Sequence, residues 1–186
     1  MKIKIISLVV LTSLLFFGCT STKKMVAANS ALDSMMEQEA FQIEVKAAEP
    51  QVTTTLAQLG SSGVLRPGST ISRIDVTGEG YFIKLDGENV SANLPYFGER
   101  QMGGGYGSDA GIKFNGTARE LTIVKDEEKH SYVATFSVDN SSEIYLFTID
   151  LGASLNSTVR VRSSHRNRIR FTGKVKELET EDFVSN

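Results

Sequence analysis

The chain has 186 residues, 40% of them hydrophobic and 23% charged, with a formal net charge of −2. That composition fits one ordinary globular domain with a short appendage and excludes a collagen-like or disordered chain. A single cysteine excludes an internal disulfide framework.

The appendage comes first. Met1, Lys2, Ile3 and Lys4 make a short basic start, and residues 5–17 are apolar apart from Thr12 and Ser13. This run is shorter than the ~20 residues a transmembrane helix needs and matches the hydrophobic region of a secretory signal. It ends in Leu15-Phe16-Phe17-Gly18-Cys19. The junction resembles the bacterial lipobox, in which the signal is cut before a cysteine that carries lipid on its sulfur. Gly18 supplies the small residue before the cut, and Phe16 stands where leucine is usual. A lone thiol at this place has no disulfide partner, so Cys19 is expected to be lipidated and residues 1–18 removed. More than one acyl chain anchors a protein stably, at about 0.8 kcal/mol per buried methylene. Loss of Lys2 and Lys4 leaves 18 basic against 22 acidic residues, a net charge of −4. That balance argues against nucleic acid, or an anionic membrane face, as the main partner.

Residues 19–29 are small, polar and without hydrophobic periodicity, which predicts a flexible tether. Asn29 or Ser30 can cap a short helix running to about Ala40, with Leu32, Met35 and Met36 on one face. Residues 30–175 then form a single β domain behind that helix, and residues 176–186 an acidic tail.

Phe41, Ile43 and Val45 alternate with polar residues as a half-buried strand does. Residues 51–68 contain Gly-Ser-Ser-Gly and Arg-Pro-Gly and are expected to form a loop with at most a short strand. Ile71, Ile74 and Val76 begin the next strand. Asp86-Gly87 between two apolar runs predicts a tight hairpin, because glycine takes the positive φ that a primed turn demands. From Ile112 onward, strand patterns alternate with polar turns through Phe171, and Gly173 is expected to end the last one. Ile144 and Leu146 alternate with Tyr145 and Phe147, suggesting burial on both faces at one end of that strand. Regular strands with no helical pattern between them predict an all-β fold: an antiparallel meander closed as a barrel or folded as a sandwich.

Asn93-Leu94-Pro95-Tyr96-Phe97-Gly98, the run Gly103-Gly104-Gly105, Gly111-Ile112-Lys113-Phe114 and Arg170-Phe171-Thr172-Gly173 together resemble a Bacteroidota lipoprotein family catalogued as domain of unknown function 4251. The resemblance spans residues 41–175 and implies an all-β envelope lipoprotein, with no catalytic residues to carry over. Glu88 and Asn89 stand where Asp and Ser are usual, and Phe171 where Tyr is. Asp33-Ser34-Met35 resembles the O-glycosylation acceptor of that phylum. No acidic run follows Cys19 of the kind that resembles its surface-export signals, so the expected location is the outer membrane, facing the periplasm.

The glycine-rich stretch 94–116 does not read as a phosphate loop, because no Gly-Lys-Ser/Thr opens a helix there. It either carries the chain across a barrel end or makes Tyr96, Phe97 and Tyr106 the rim of a ligand pocket. Arg160, Arg162, Arg166, Arg168 and Arg170 lie on alternate positions and would line one anion-binding patch if their hairpin pairs in register. The plainer reading is a solvated face offset by Asp126, Glu127, Glu128 and the tail. His130 and His165 fall in separate turns, and the carboxylates Asp75, Asp86 and Asp109 cannot be paired by spacing. No catalytic residue, metal site or cofactor is therefore expected. The expected function is a lipid-anchored binding or scaffolding module with an envelope protein as partner. The alternatives are a carrier of a small apolar ligand in the barrel interior and an envelope hydrolase.

Overall fold

The computed structural model describes residues 27–178, without 62, 64, 100, 102–110 and 142. The export signal, Cys19, most of the tether, Tyr106, Asp109 and the tail from residue 179 lie outside these residues. Two short helices, α1 (Ser30–Glu37) and α2 (Thr54–Ser61), accompany ten strands. The strands are β1 (Ala40–Pro50), β2 (Ile74–Asp75), β3 (Phe82–Asp86), β4 (Asn89–Leu94), β5 (Ile112–Thr117), β6 (Arg119–Asp126), β7 (Ser131–Asn140), β8 (Glu143–Leu151), β9 (Asn156–Ser163) and β10 (Ile169–Lys176).

All pair antiparallel in one sheet, ordered β5-β4-β3-β1-β10-β9-β8-β7-β6, with β2 beside the far end of β1. The two outermost strands, β5 and β6, follow one another in sequence with only Ala118 between them. They are the two halves of one kinked strand, one pairing β4 and the other β7. Asn140 Nδ2 donates to the Lys113 carbonyl at 3.2 Å across the seam. The sheet therefore curls into a nearly closed barrel, which covers its edges against further pairing.

Period-two alternation decides what fills it. Phe41, Ile43, Ile83, Leu85, Phe136, Phe147, Ile149 and Phe171 point inward and are at most 1% exposed. Rings meet there: Phe136 stacks on Phe147 with centroids 5.0 Å apart, and Phe114 stacks on Tyr145 and meets Phe147 edge to face, 5.7 Å from each. The outward residues of β8 correct one expectation: Ile144 and Leu146 are 52% and 44% exposed, so that strand is buried on one face only.

Helix α1 closes one end. Asn29 caps it, accepting from the backbone N–H of Ala31 and Leu32, and its own amide donates to the Ala153 carbonyl at 2.8 Å. Leu32, Met35 and Met36 enter the barrel core. Asp33 accepts from the Tyr132 hydroxyl and from Lys125 Nζ at 3.2 Å, and these bonds hold its carboxyl below the usual aspartate range.

Helix α2 was not expected. Its sequence, Thr-Thr-Leu-Ala-Gln-Leu-Gly-Ser, sets the good helix formers Leu, Ala and Gln between weaker ones. It forms because Thr53 caps the first turn, with Leu56 N donating to its hydroxyl at 3.3 Å, and because Leu56 is buried. The hairpin at Asp86-Gly87 is present, with Asp86 paired to Asn89 and Gly87 at φ +55°. Glu88, the second residue of that two-residue loop, keeps negative φ, as a II′ turn requires.

Strand β10 also runs past its expected end. It continues through Gly173 to Lys176, which pairs with Gln42. The reason lies on β1, where a bulge between Val45 and Ala47 leaves Lys46 unopposed. The Lys46 carbonyl instead accepts from Val76 N at 2.9 Å, handing the strand from β3 to β2. Gly173 faces this bulge, and its lack of a side chain lets the Glu44 carbonyl approach. Gly173 thus works inside the strand rather than ending it.

Candidate functional site

The outer face of β9 and β10 gathers the arginines. Arg170 sits directly opposite Arg160, and Ile169 opposite Val161; Arg162 and Arg168 lie just beyond the last paired residues. All four guanidiniums line a groove of about 430 Å³ with Glu49, Pro50, Gln51 and Ser72. Their charge is offset by two carboxylates that spacing could not reveal, since each comes from a neighbouring strand. Arg160 bonds Asp150 at 2.7 Å. Arg170 Nε donates to Glu49 at 2.6 Å, and Arg73 bonds the other oxygen of the same carboxylate. The expected neutralisers, Asp126 and the turn after it, instead serve themselves: Asp126 bonds Lys129 at 2.8 Å. Arg162 and Arg168 are exposed and have no carboxylate partner among the described residues.

Arg166 does not join this patch, and here the period-two reading is corrected. It precedes β10 in the turn after β9, so its side chain swings to the barrel end and is buried. Arg166 Nε donates to Glu143 Oε1 at 2.8 Å, with the two side chains only 4% and 6% exposed. Ser163 Oγ donates to the same carboxylate, and Arg166 Nη1 donates to the Gly111 carbonyl at 3.1 Å. Burial pushes the Glu143 carboxyl up; hydrogen bonds from Arg166, Ser163 and Tyr145 outweigh it and hold the group below the usual glutamate range.

The crossover leaving β4 is fastened onto this pair. The Tyr96 ring lies under the Arg166 guanidinium, 5.1 Å from its centroid, and the Tyr145 ring is 6.0 Å away. Tyr96 Oη reaches the Asn167 carbonyl at 3.1 Å and the Glu99 carbonyl at 3.0 Å. Gln101 N donates to the His165 carbonyl at 2.8 Å and Asn167 N to the Glu99 carbonyl at 3.3 Å, so Glu99 and Gln101 lie beside His165 and Asn167. Phe97 packs against the barrel core. Tyr96 and Phe97 therefore help close this end of the barrel. Tyr106, the third residue of the expected rim, lies outside the described residues.

Among the described residues no three His, Cys, Asp or Glu side chains gather as metal ligands do. His130 follows β6 and His165 follows β9, in separate turns. Among the described residues, too, no helix is long and apolar enough to cross a membrane. What the arginine groove offers is positive charge and a fork of N–H donors for planar oxyanions such as carboxylates.

The family model described as Domain of unknown function (DUF4251) matches residues 23–175. The chain belongs to the DUF4251 family. Its fold is similar to that in the crystal structure of a DUF4251 family protein from Bacteroides eggerthii DSM 20697. The two share 13% identity over 80% of this chain and 86% of that one, with a TM-score of 0.53. At that identity the likeness speaks for the fold alone. A search of curated proteins found no match. As a DUF4251 domain, the protein brings no assigned chemistry with its family, so its function has to be argued from its own residues.

Proposed function

We propose that this protein is a lipid-anchored module of the cell envelope that binds or scaffolds through its outer surface and catalyses nothing itself. One contrast carries the reading: among the described residues the core side chains pack the barrel interior, whereas the outer groove leaves Arg162 and Arg168 uncommitted. Phe41, Ile43, Ile83, Leu85, Phe147, Ile149 and Phe171 are 0% exposed, so no water-sized void lies against any of them. That leaves no room beside these residues for the apolar ligand of a carrier, which favours binding on the outside. The hydrolase reading gains no support from the paired carboxylates, because Glu49, Glu143 and Asp150 are each committed to arginine.

The anchor rests on the Leu15-Phe16-Phe17-Gly18-Cys19 junction, and the outer membrane with its periplasmic side remains the proposed location. Cys19→Ala is expected to move the protein from the membrane to the soluble fraction; unchanged fractionation would refute lipidation. Native mass spectrometry of the purified protein tests the surface-binding reading against the carrier. The expected spectrum carries no small apolar molecule, and a stoichiometric co-purifying mass would reverse the choice.

A further inference from the structure

We propose that the arginine groove receives the acidic C-terminal segment of a second copy of this chain. The groove presents two unpaired cations, Arg162 near the end of β9 and Arg168 just before β10, beside the engaged Arg160 and Arg170. A ligand that meets both needs carboxylates on one side. The chain itself carries such a segment immediately after β10: Glu177, Glu179 and Glu181 alternate with Lys176, Leu178 and Thr180, and Asp182 adds a fourth carboxylate. In an extended chain the three alternate glutamates share one side.

Reach decides between the chain's own tail and that of another copy. Strand β10 delivers the segment at Lys176, six strand steps or about 20 Å from Arg170. A return turn takes two residues at least, so Glu179 and Glu181 of the same copy would stop beside Lys174, well short of Arg168. The cations within that shorter reach are already engaged. Lys46 bonds Glu44, Arg73 bonds Glu49, and Lys174 donates to the Ser154 carbonyl at 3.3 Å. Glu179 and Glu181 therefore meet the unpaired pair, Arg162 with Arg168, only when they come from another copy. A second copy supplies the pair with complementary charge.

Charge reversal in trans tests this on the full chain. A groove variant carries Arg162→Glu with Arg168→Glu, and a tail variant carries Glu179→Arg with Glu181→Arg. The expected result is wild-type self-association by sedimentation equilibrium that weakens with salt. Each reversed variant alone should associate about tenfold more weakly, the scale of two exposed ion pairs. When the two variants are mixed, a tag on one should recover the other. No recovery from the mixture overturns the proposal, because a tail acting within its own copy, or not at all, cannot join two such proteins. Wild-type association unchanged by both reversals overturns it equally. Should the groove reversal fail to fold, Arg162→Gln with Arg168→Gln must weaken wild-type association by the same route, and no change would count against the proposal.

Discussion

Arg166→Ala is expected to destabilise the domain by about 3–5 kcal/mol, measured as a lowered urea midpoint at unchanged slope. The size follows from what the substitution leaves behind. Glu143 would remain buried beside the barrel end with its strongest partner gone, and a lone buried carboxylate is far costlier than a pair. The Tyr96 ring would also lose the cation stacked on it, loosening the crossover. Replacing both partners, Arg166→Met with Glu143→Leu, should restore most of the loss, since no charge is then stranded. A loss below about 1 kcal/mol for Arg166→Ala would sink this account, because that is what an exposed pair contributes. The pair also gives stability a pH dependence. Glu143 is held below its ordinary value of 4.5, so its contribution is fully present above that pH and is lost as pH falls through the lower folded value. Glu143→Gln should flatten the acid limb of the stability curve below about pH 4.5 relative to wild type.

Gly173→Ala should cost about 3 kcal/mol, the upper range of overpacking. Ordinarily a glycine in a strand gains from alanine, by up to about 1 kcal/mol, through the unfolded chain. Here the sign reverses. A Cβ on Gly173 would overlap the Glu44 carbonyl oxygen and stand 3.1 Å from its carbon, and neither is a side-chain end able to swing away. The strand would have to part from the β1 bulge. Gly116→Ala makes the control, because its Cβ would meet only Val138 Cγ1, at 3.3 Å. Thermal melts of the two variants should differ by several degrees, with Gly173→Ala the lower; equal melting temperatures would refute the role given to the bulge.

Much of the fold was legible because its signals are local. Tyr132, Ala134, Phe136 and Val138 on β7 read inward from alternation alone. Gly87 marked its hairpin by the one backbone conformation that glycine takes without cost. Helix α2 was not legible, since Thr, Gly and Ser flank its Leu-Ala-Gln-Leu centre, and its cap and the burial of Leu56 appear only on folding. The kink joining β5 to β6 carries no turn signal of its own: neither Ala118 nor Glu120 favours positive φ, yet Glu120 takes φ +55°.

The arginines divide along the same line. Their period of two determined that Arg160, Arg162, Arg168 and Arg170 would share a face once β9 met β10. Whether that face was charged or neutral depended on Glu49 and Asp150, which lie far away in sequence and arrive only through strand order. Arg166 shows the limit more sharply. It keeps the spacing of its neighbours, but it stands before β10 begins, and the barrel end offers it a buried carboxylate and two rings. By itself the sequence determined the strand pattern, the hairpins and the family, because period, turn chemistry and motif are properties of neighbouring residues. The tertiary structure alone decided the barrel's closure, the bulge that needs Gly173 and the partner of each arginine, because those depend on register between strands that the chain brings together only on folding.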